Sequence, residues 1–383
     1  MECAHLQRFL EMNGLEMEDS PKQADLVILY ACGLTQLDSQ ISLDILKELE
    51  SLRRRDSEFL VWGCLPNIDP KLVAENHHGP CFGRREFRKL EEMINAKVKY
   101  DEVTVNHLLP KSQDVERIRA KYEPDPLTYM IEEVNHQIRS KVASLTDSDI
   151  FYIMIARGCV GICTYCSDLR SCGRIKSKPV ERVLAEFKEG LRQGFKHFQL
   201  VATDLGAYGK DLGCDLSYLL KQLTSEKGNY QLLLPNLNPQ FLKKMLKDLV
   251  TVFRSKRINL LGMPVESGSN RILHAMGRNY TVEDFKECVS TFSKQFPEML
   301  IWTQLMVGFP GETEEDFQAT MRLLDEVPFD YIQVFKFSRR QTTPASYFDN
   351  QVLESVSLNR YLRLLAKAIY KELSRKTQRE NIA

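Results

Sequence analysis

The sequence lacks the long apolar segments that membrane insertion and secretion require. No run of eighteen consecutive apolar residues occurs, and the opening MECAHLQRFLEMNGLE is charged where a signal peptide would need an apolar core. We therefore expect a soluble protein of the cytoplasm, with no membrane partner.

The sequence also lacks an excess of charge of either sign. Lysine and arginine together number 52, as do aspartate and glutamate, so the formal net charge is zero. This balance excludes a global field that would draw the protein to nucleic acid or to an anionic membrane. Any such contact would have to be local.

What the sequence does contain is cysteine, ten residues in 383. In a large chain without a secretion signal, cysteines indicate metal or redox chemistry rather than a disulfide framework. Three of them, Cys159, Cys163 and Cys166, fall within the short stretch ARGCVGICTYCSD. Three thiolates on one loop suit either a zinc ion with a fourth ligand or three irons of a [4Fe-4S] cluster whose fourth iron stays open. No second pair of cysteines follows at zinc-ribbon spacing, which favours the cluster.

Residues 1–95 predict a small parallel α/β domain. The apolar strands ADLVILYAC and FLVWGC alternate with helices, the first of which ends at Gly14. Cys32 and Cys64 stand at the carboxyl ends of these strands, so we expect them at one edge of the sheet, where open sheets bind ligands. The domain begins on a helix, and the strand expected before it is missing.

Residues 148–350 predict an open barrel of α/β class. Strand and helix signals alternate about six times between FYIMIARG and YIQVFKFS. Eight units would close a full barrel, so six indicate a partial (β/α)6 barrel with its chemistry at the carboxyl ends of the strands. Residues 96–147 are polar and read as a connecting segment. The amphipathic helix within residues 351–383 is expected to pack on the barrel.

The cysteine loop, with Tyr165 before its last cysteine, resembles that of the radical S-adenosylmethionine (SAM) superfamily. Four more segments resemble the methylthiotransferases that modify a tRNA adenosine or a ribosomal-protein aspartate: VATDLGAYGKD, PVESGSNRILHAMGRNYT, VGFPGETEEDF and SRRQTTPA. The resemblance extends over about residues 5–350. It implies a radical SAM barrel in which the cluster on the three loop cysteines binds SAM and yields a 5′-deoxyadenosyl radical that takes hydrogen from a substrate.

The resemblance also implies a set of SAM-binding residues. The expected positions are Tyr165, Gly308 and Phe309 at the adenine, Glu266 and Ser267 at the ribose, Asp204 at the methionine amino group, and Arg278 at the carboxylate. Glu266 and Arg278 could equally form a structural ion pair at the barrel rim. No catalytic side chain is identified.

In that family the first domain holds a second [4Fe-4S] cluster on three cysteines, which supplies or carries the inserted sulfur. The segments LYACGLTQ and VWGCLPN resemble the second and third cysteine segments, which implies Cys32 and Cys64 as ligands. The first segment has no match and would fall upstream of Met1, so Cys3 is a displaced candidate. Cys172 lies outside both motifs and is not expected to be a ligand.

Departures from the family cluster near the expected active site. Gln304 stands where the family usually has Asp, Gly262 where it has His, and Thr203 where it has Gln or Glu. The small β-barrel that relatives append is also missing after Ala383. We therefore favour a small metabolite or peptide substrate, with tRNA as the second choice. A reducing partner such as flavodoxin or ferredoxin is implied.

Three functions stay open at this point. The first is insertion of sulfur or a methylthio group at a C–H position. The second is hydrogen abstraction without sulfur insertion, ending in epimerisation or rearrangement. The third is a non-catalytic metal-binding interaction protein, which would not cleave SAM.

Overall fold

The computed structural model describes residues 1–109, 115, 117–118, 121–122 and 149–380. These residues fall into two compact units. The first holds residues 1–109, 115, 117–118, 121–122 and Ser167–Gly173, and the second holds residues 149–166 and 174–380. Most of the predicted connecting segment, residues 96–147, lies outside the described residues.

The first unit is a three-stranded parallel sheet with helices on both faces, which confirms the predicted small α/β layer. Its strands, in spatial order, are β1 (Leu26–Ala31), β2 (Glu58–Gly63) and β3 (Cys81–Gly83). Its helices include α1 (Glu2–Met12), α2 (Gln36–Leu52), α3 (Leu65–Ile68), α4 (Pro70–Asn76) and α5 (Phe87–Met93). Trp62 of β2 packs in a cluster with Phe9, whereas Val61 packs on the other face with Leu46. Since side chains alternate along a strand, β2 contributes to both cores.

Two segments extend the first unit past the predicted boundary at residue 95. Tyr100 is buried in the cluster of Trp62, and the Asn13 side chain accepts hydrogen bonds from the backbone N–H groups of Lys97 (2.7 Å) and Val98 (3.0 Å). Helix α6 (Asp168–Cys172) packs against α3 and also belongs to this unit. The sequence around residue 97 is mostly polar and contains few apolar residues such as Tyr100. The predicted boundary at residue 95 therefore lies before the end of this unit.

The second unit contains a six-stranded parallel sheet whose spatial order follows the sequence. Its strands are β4 (Ile150–Met154), β7 (His197–Val201), β8 (Gln231–Leu234), β9 (Ile258–Gly262), β10 (Leu300–Val307) and β11 (Tyr331–Lys336). A separate antiparallel pair is formed by β5 (Ala156–Arg157) and β6 (Lys176–Ser177). In the described sheet β4 and β11 are the two edges, so the barrel is open. The predicted (β/α)6 arrangement is confirmed.

The helices of the second unit cover one face of this sheet. They are α7 (Val180–Arg192), α8 (Leu216–Ser225), α9 (Pro239–Phe253), α10 (Asn270–Ala275), α11 (Val282–Gln295) and α12 (Glu314–Glu326). Thr281 and Thr313 begin α11 and α12 with capping boxes, which satisfy backbone N–H groups that a helix start leaves unpaired. The buried core between sheet and helices includes Phe187, Phe198 and Leu305. The opposite face of the sheet is left for the barrel interior.

The last helix, α13 (Glu354–Glu380), packs on the barrel as predicted. Its Tyr361 and Leu365 are buried in the main core. The Glu372 carboxylate accepts a hydrogen bond of 2.7 Å from the backbone N–H of Ile332, so the helix also covers the edge strand β11. Among the described residues, no helix combines the length and the apolar character needed to cross a bilayer.

Candidate functional site

The three loop cysteines follow β5, after a turn at Gly158. The backbone N–H of Gly161 donates to Cys159 Sγ at 3.1 Å. A Cβ atom added to Gly161 would lie 3.2 Å from Cys159 Sγ and 3.7 Å from Cys163 Sγ. Both sulfurs therefore lie beside Gly161, which has no side chain to occupy the space next to them.

This arrangement fits an iron-sulfur cluster better than a single ion. Among the described residues, no three His, Cys, Asp or Glu side chains converge closely enough to hold one metal ion. A zinc ion would need its thiolates gathered at one point, whereas a four-iron cluster takes each thiolate on a different iron. Since the described cysteine sulfurs are not gathered at one point, the second case fits them better.

The cysteine loop is fixed by neighbours on two sides. Thr164 donates its backbone N–H to the carbonyl oxygen of Met276 (3.0 Å) and accepts from the N–H of Ala345 (2.9 Å). A Cβ atom on Gly277 would lie 2.9 Å from the carbonyl oxygen of Ile162, so only glycine lets the loop approach the end of α10 this closely. Sequence analysis missed Thr164 and Gly277, although a glycine just after a helix was a visible signal.

Tyr165, Glu266 and Arg278 form one buried group. Arg278 pairs with the Glu266 carboxylate, and its Nη2 donates to the Tyr165 hydroxyl at 2.6 Å. The Arg278 and Glu266 side chains are only 9% and 7% exposed. The predicted alternative of an ion pair is therefore observed, and the pair sits against the aromatic residue of the cysteine loop.

Arg278 also has one N–H donor without a hydrogen-bond partner among the described residues. This donor is its buried Nε. A buried donor without an acceptor is costly, so such an atom indicates a missing partner. A carboxylate, which can accept from two N–H groups of one guanidinium, fits that requirement.

The charges of Arg278 and Glu266 change the pKa of a cysteine in the loop. Burial raises the pKa of the Cys163 thiol, the positive charge of Arg278 opposes that change, and the negative charges of Glu266 and Asp204 add to it. Asp204 follows β7, Glu266 follows β9 and Arg278 follows helix α10, so residues from three segments act on Cys163. Convergence of this kind was expected for the carboxyl ends of barrel strands.

Asp204 lies just past β7 and caps the short turn Leu205–Ala207. Its Oδ1 accepts hydrogen bonds from the backbone N–H groups of Gly206 (2.9 Å) and Asn238 (3.3 Å). Burial nevertheless raises the pKa of Asp204 to about 6. A cation bound beside it would restore the ionised form.

Phe309 and Gly308 form the turn after β10. The Phe309 ring is fully buried, and its centroid lies 6.4 Å from that of Tyr165, edge to face. Gly308 has φ +76°, and its N–H donates to the Glu312 carboxylate at 2.8 Å. Phe309 therefore borders the Tyr165 ring, and the expected contact of both residues with adenine stays a prediction.

Ser267 is placed differently from the rest of the predicted set. It is fully buried, its Oγ accepts from the N–H of Ser269 at 3.1 Å, and it lies 3.4 Å from the Thr320 hydroxyl of α12. The structure thus turns this hydroxyl toward a helix. Its expected role at the ribose stays a prediction.

The inner face of β9–β11 explains one departure from the family. A Cβ atom on Gly262 would collide with the indole nitrogen of Trp302 and the carbonyl oxygen of Pro235. The Trp302 ring lies 5.6 Å from that of Tyr331, centroid to centroid. Trp302 therefore fills the space where the resemblance led us to expect an imidazole. Sequence analysis noted Gly262 but missed its neighbour.

Cys32 and Cys64 lie at one edge of the first sheet, as expected. The preceding residues Ala31 and Gly63 are register partners, and the N–H of Cys64 donates to the Ala31 carbonyl oxygen at 3.0 Å. Gly63 has φ +137°, and a Cβ there would lie 2.5 Å from that oxygen. Cys3, the displaced candidate, is exposed on α1.

Comparisons with known proteins extend over both units. A model of the Radical SAM superfamily matches residues 153–324, and a model described as an uncharacterized protein family, UPF0004, matches residues 1–81. The probable threonylcarbamoyladenosine tRNA methylthiotransferase of Pyrococcus horikoshii is 28% identical over 88% of this chain and 73% of its own length. MtaB of Thermotoga maritima, a threonylcarbamoyladenosine tRNA methylthiotransferase, is 30% identical over 89% and 73%.

One further relative and one solved structure widen the comparison. RimO of Protochlamydia amoebophila, a ribosomal protein uS12 methylthiotransferase, is 28% identical over 92% of this chain and 70% of its own length. The solved structure of the radical SAM methyltransferase TsrM from Kitasatospora setae, with cobalamin and a [4Fe-4S] cluster bound, has a TM-score of 0.56 at 14% identity, over 90% of this chain and 68% of that one. At that identity the likeness shows the fold alone.

These matches settle the main expectations from the sequence. The family resemblance and the prediction of a transferase are confirmed, and the predicted cofactors, a [4Fe-4S] cluster and SAM, are those of the matched superfamily. The preference for a small metabolite or peptide substrate finds no support, because the relatives above are named for tRNA or a ribosomal protein. With 30% identity to MtaB over most of both lengths, this chain belongs to the radical SAM methylthiotransferase family.

Proposed function

We propose that this enzyme transfers a methylthio group to a C–H position of a modified adenosine in tRNA. The observation that carries the proposal is the convergence of the cysteine loop with Tyr165, Arg278 and Asp204 at the ends of the barrel strands. The names of the tRNA-modifying relatives support the choice of substrate. It replaces the small metabolite favoured from the sequence alone.

Three cysteines would hold the radical-generating cluster: Cys159, Cys163 and Cys166. Together with SAM, that cluster supplies a radical that removes a hydrogen atom from the substrate. Thr164 and Gly277 keep the loop in one conformation, so the thiolates need little rearrangement to bind iron.

The buried group around Tyr165 would bind SAM. Arg278 offers its unpartnered Nε to the carboxylate of SAM, while its Nη2 remains bonded to the Tyr165 hydroxyl. Asp204 would face the ammonium group, and Tyr165 and Phe309 would border the adenine. Asp204 is buried and the Arg278 side chain is only 9% exposed, and exclusion of water strengthens such charged contacts.

The barrel interior offers an uncharged surface for a nucleobase. Trp302 and Tyr331 lie side by side, and the Gln304 amide donates to the Gln333 amide at 3.2 Å. Aromatic rings stack on unpaired bases, and amides read their hydrogen-bonding edges. A flipped-out adenosine matches this surface better than a charged metabolite does.

Cys32 and Cys64 would hold a second cluster that carries the sulfur to be inserted. Their placement at one sheet edge supports a shared ligand role. We further infer a one-electron donor such as flavodoxin or ferredoxin, and a location in the cytoplasm, where tRNA is modified.

The proposal is tested with tRNA from a strain that lacks methylthiotransferases. Anaerobically reconstituted enzyme, dithionite and SAM are incubated with this tRNA, and the digested nucleosides are analysed by mass spectrometry. We expect a methylthio-adenosine that is absent with the Cys163→Ala variant. Modification of a ribosomal protein instead would contradict the tRNA substrate. If 5′-deoxyadenosine forms but neither tRNA nor ribosomal protein gains sulfur, hydrogen abstraction without sulfur insertion is favoured.

A further inference from the structure

A guanidinium in the first unit joins two cysteines that are far apart in sequence. The Arg84 Nη1 lies 3.1 Å from Cys172 Sγ and 3.5 Å from Cys64 Sγ. Both thiols are half-buried, and Cys172 ends α6, the segment that packs against α3 within this unit. The two sulfurs are therefore near each other, separated by no more than the sum of these two distances.

This group is held in place by the backbone. The N–H of Arg84 donates to the carbonyl oxygen of Gly63 at 3.0 Å, and its Nη2 pairs with Glu2 at 2.7 Å. Gly173 ends α6 at φ +77°, and a Cβ there would lie 2.9 Å from the Arg85 side chain. Helix α6 packs against α3, which begins directly after Cys64, so the path of the chain also brings Cys172 near Cys64.

The group also connects to the predicted ligands of the second cluster. Cys64 and Cys32 follow register partners on adjacent strands, so all three cysteines belong to the same end of one small sheet. Cys3 is the alternative, but it is exposed on α1 and has no described bond to Cys64. A cluster with three thiolate ligands is anionic, and Arg84 places a positive charge next to two of them.

The geometry points to Cys172 as the third thiolate ligand of the second [4Fe-4S] cluster, together with Cys32 and Cys64. This inference rests on the proposed function, because that function requires a second cluster. It assigns to Cys172 a role that its sequence position, six residues past the radical SAM motif, did not suggest.

The test uses a chain that can bind only the second cluster. Cys159, Cys163 and Cys166 are replaced by alanine together, and this full-length variant is reconstituted anaerobically with iron and sulfide. We expect about four irons per chain and a [4Fe-4S] Mössbauer spectrum. Adding Cys172→Ser should remove this cluster, whereas Cys3→Ser or Cys81→Ser should leave it unchanged, with thermal unfolding measured for every variant.

The inference is overturned if Cys172→Ser keeps all four irons and the same spectrum, and the proposed function then stands. If the triple-alanine variant itself holds no cluster, both the inference and the sulfur-insertion proposal fail. A second measurement needs no substitution at Cys172. In the triple-alanine chain, Cys172 should be protected from iodoacetamide together with Cys32 and Cys64, and alkylated once the iron is removed. Alkylation of Cys172 at equal rates in both states would contradict the assignment.

Discussion

The two proposed cysteine centres differ in how the chain builds them. In the second unit, Cys159, Cys163 and Cys166 come from one loop, and their spacing, with no second cysteine pair nearby, favoured a cluster over zinc. In the first unit, Cys32 and Cys64 come from adjacent strands, and Cys172 comes from a segment that returns to this unit after the first barrel strands. A site built from local sequence can be recognised from spacing, whereas a site built by the fold needs the structure.

This difference between a local loop and a site assembled by the fold predicts which substitutions would impair each centre. The contacts that hold the loop centre come from its own unit and include those of Thr164 and Gly277. The proposed first-unit centre depends on strand register and on the half-buried Arg84 group. Substitutions should therefore separate radical generation from sulfur insertion.

The largest effect is expected from Cys163→Ala. Loss of one thiolate removes the loop cluster, so SAM cleavage should fall at least about 1000-fold, the scale of losing an essential catalytic group. Formation of 5′-deoxyadenosine, measured by chromatography after dithionite reduction, checks this. The variant should keep about four irons on the first-unit centre. Loss of all iron would contradict the independence of the two centres.

Cys64→Ala tests the opposite case, in which the first-unit cluster is lost and the loop cluster is kept. Reductive SAM cleavage should stay within about threefold of wild type, because the loop cluster is intact, while the methylthio product disappears. Both products are measured in one reaction by mass spectrometry. A matched control is Cys81→Ala, which changes a cysteine on the neighbouring strand β3 and should leave both products unchanged. Sulfur insertion that survives in Cys64→Ala would show that the first-unit centre is not the sulfur source.

Arg278→Met tests whether the buried ion pair is structural or binds SAM. It leaves the Glu266 carboxylate buried without its partner, which costs about 3–5 kcal/mol of the free energy of unfolding. The double variant Arg278→Met/Glu266→Gln should recover most of that stability. If Arg278 binds the SAM carboxylate, the double variant should still bind SAM about 10–100-fold more weakly by calorimetry. Wild-type affinity in the double variant would limit the pair to a structural role.

Gly63→Ala probes the register on which the first-unit centre depends. Its φ of +137° and the approach of a Cβ to the Ala31 oxygen should cost at least about 2 kcal/mol of unfolding free energy. Gly14→Ala is the matched control, because Gly14 also has positive φ (+85°) but meets nothing within 4 Å, so it should cost about 1 kcal/mol. Denaturant unfolding measures both. Equal costs would show that the contact between the strands is unimportant.

The smallest effect concerns pH. The ionised form of Asp204 attracts the SAM ammonium, and since burial raises the pKa of Asp204 to about 6, SAM affinity should weaken about tenfold per pH unit below that value. In the protein without SAM, the folding stability changes with pH in the opposite direction to the SAM affinity. The folded-state pKa exceeds the ordinary value, so the protonated form adds stability that is lost as pH rises from about 4 through 6. Asp204→Asn should flatten both profiles, and an unchanged profile would exclude Asp204 as the titrating group.

Much of the second unit could be predicted from sequence because its signals are local. The apolar periods of α7 and α12 and the glycine turn at Gly308 stand in short windows. The contact of Trp302 with Gly262, on adjacent strands, depends on register and could not be predicted in this way. The extension of the first unit through Tyr100 and α6 could not be predicted either, because both segments are short and mostly polar.

The account depends most on an open iron in the loop cluster. It is tested most directly in a Cys32→Ala/Cys64→Ala variant, in which the loop cluster is the only one expected. We predict that the electron paramagnetic resonance signal of the reduced cluster changes when SAM is added, with hyperfine coupling to isotopically labelled SAM carboxylate oxygen or amino nitrogen. A signal that SAM does not alter, or metal analysis that finds one zinc ion per chain, would contradict it.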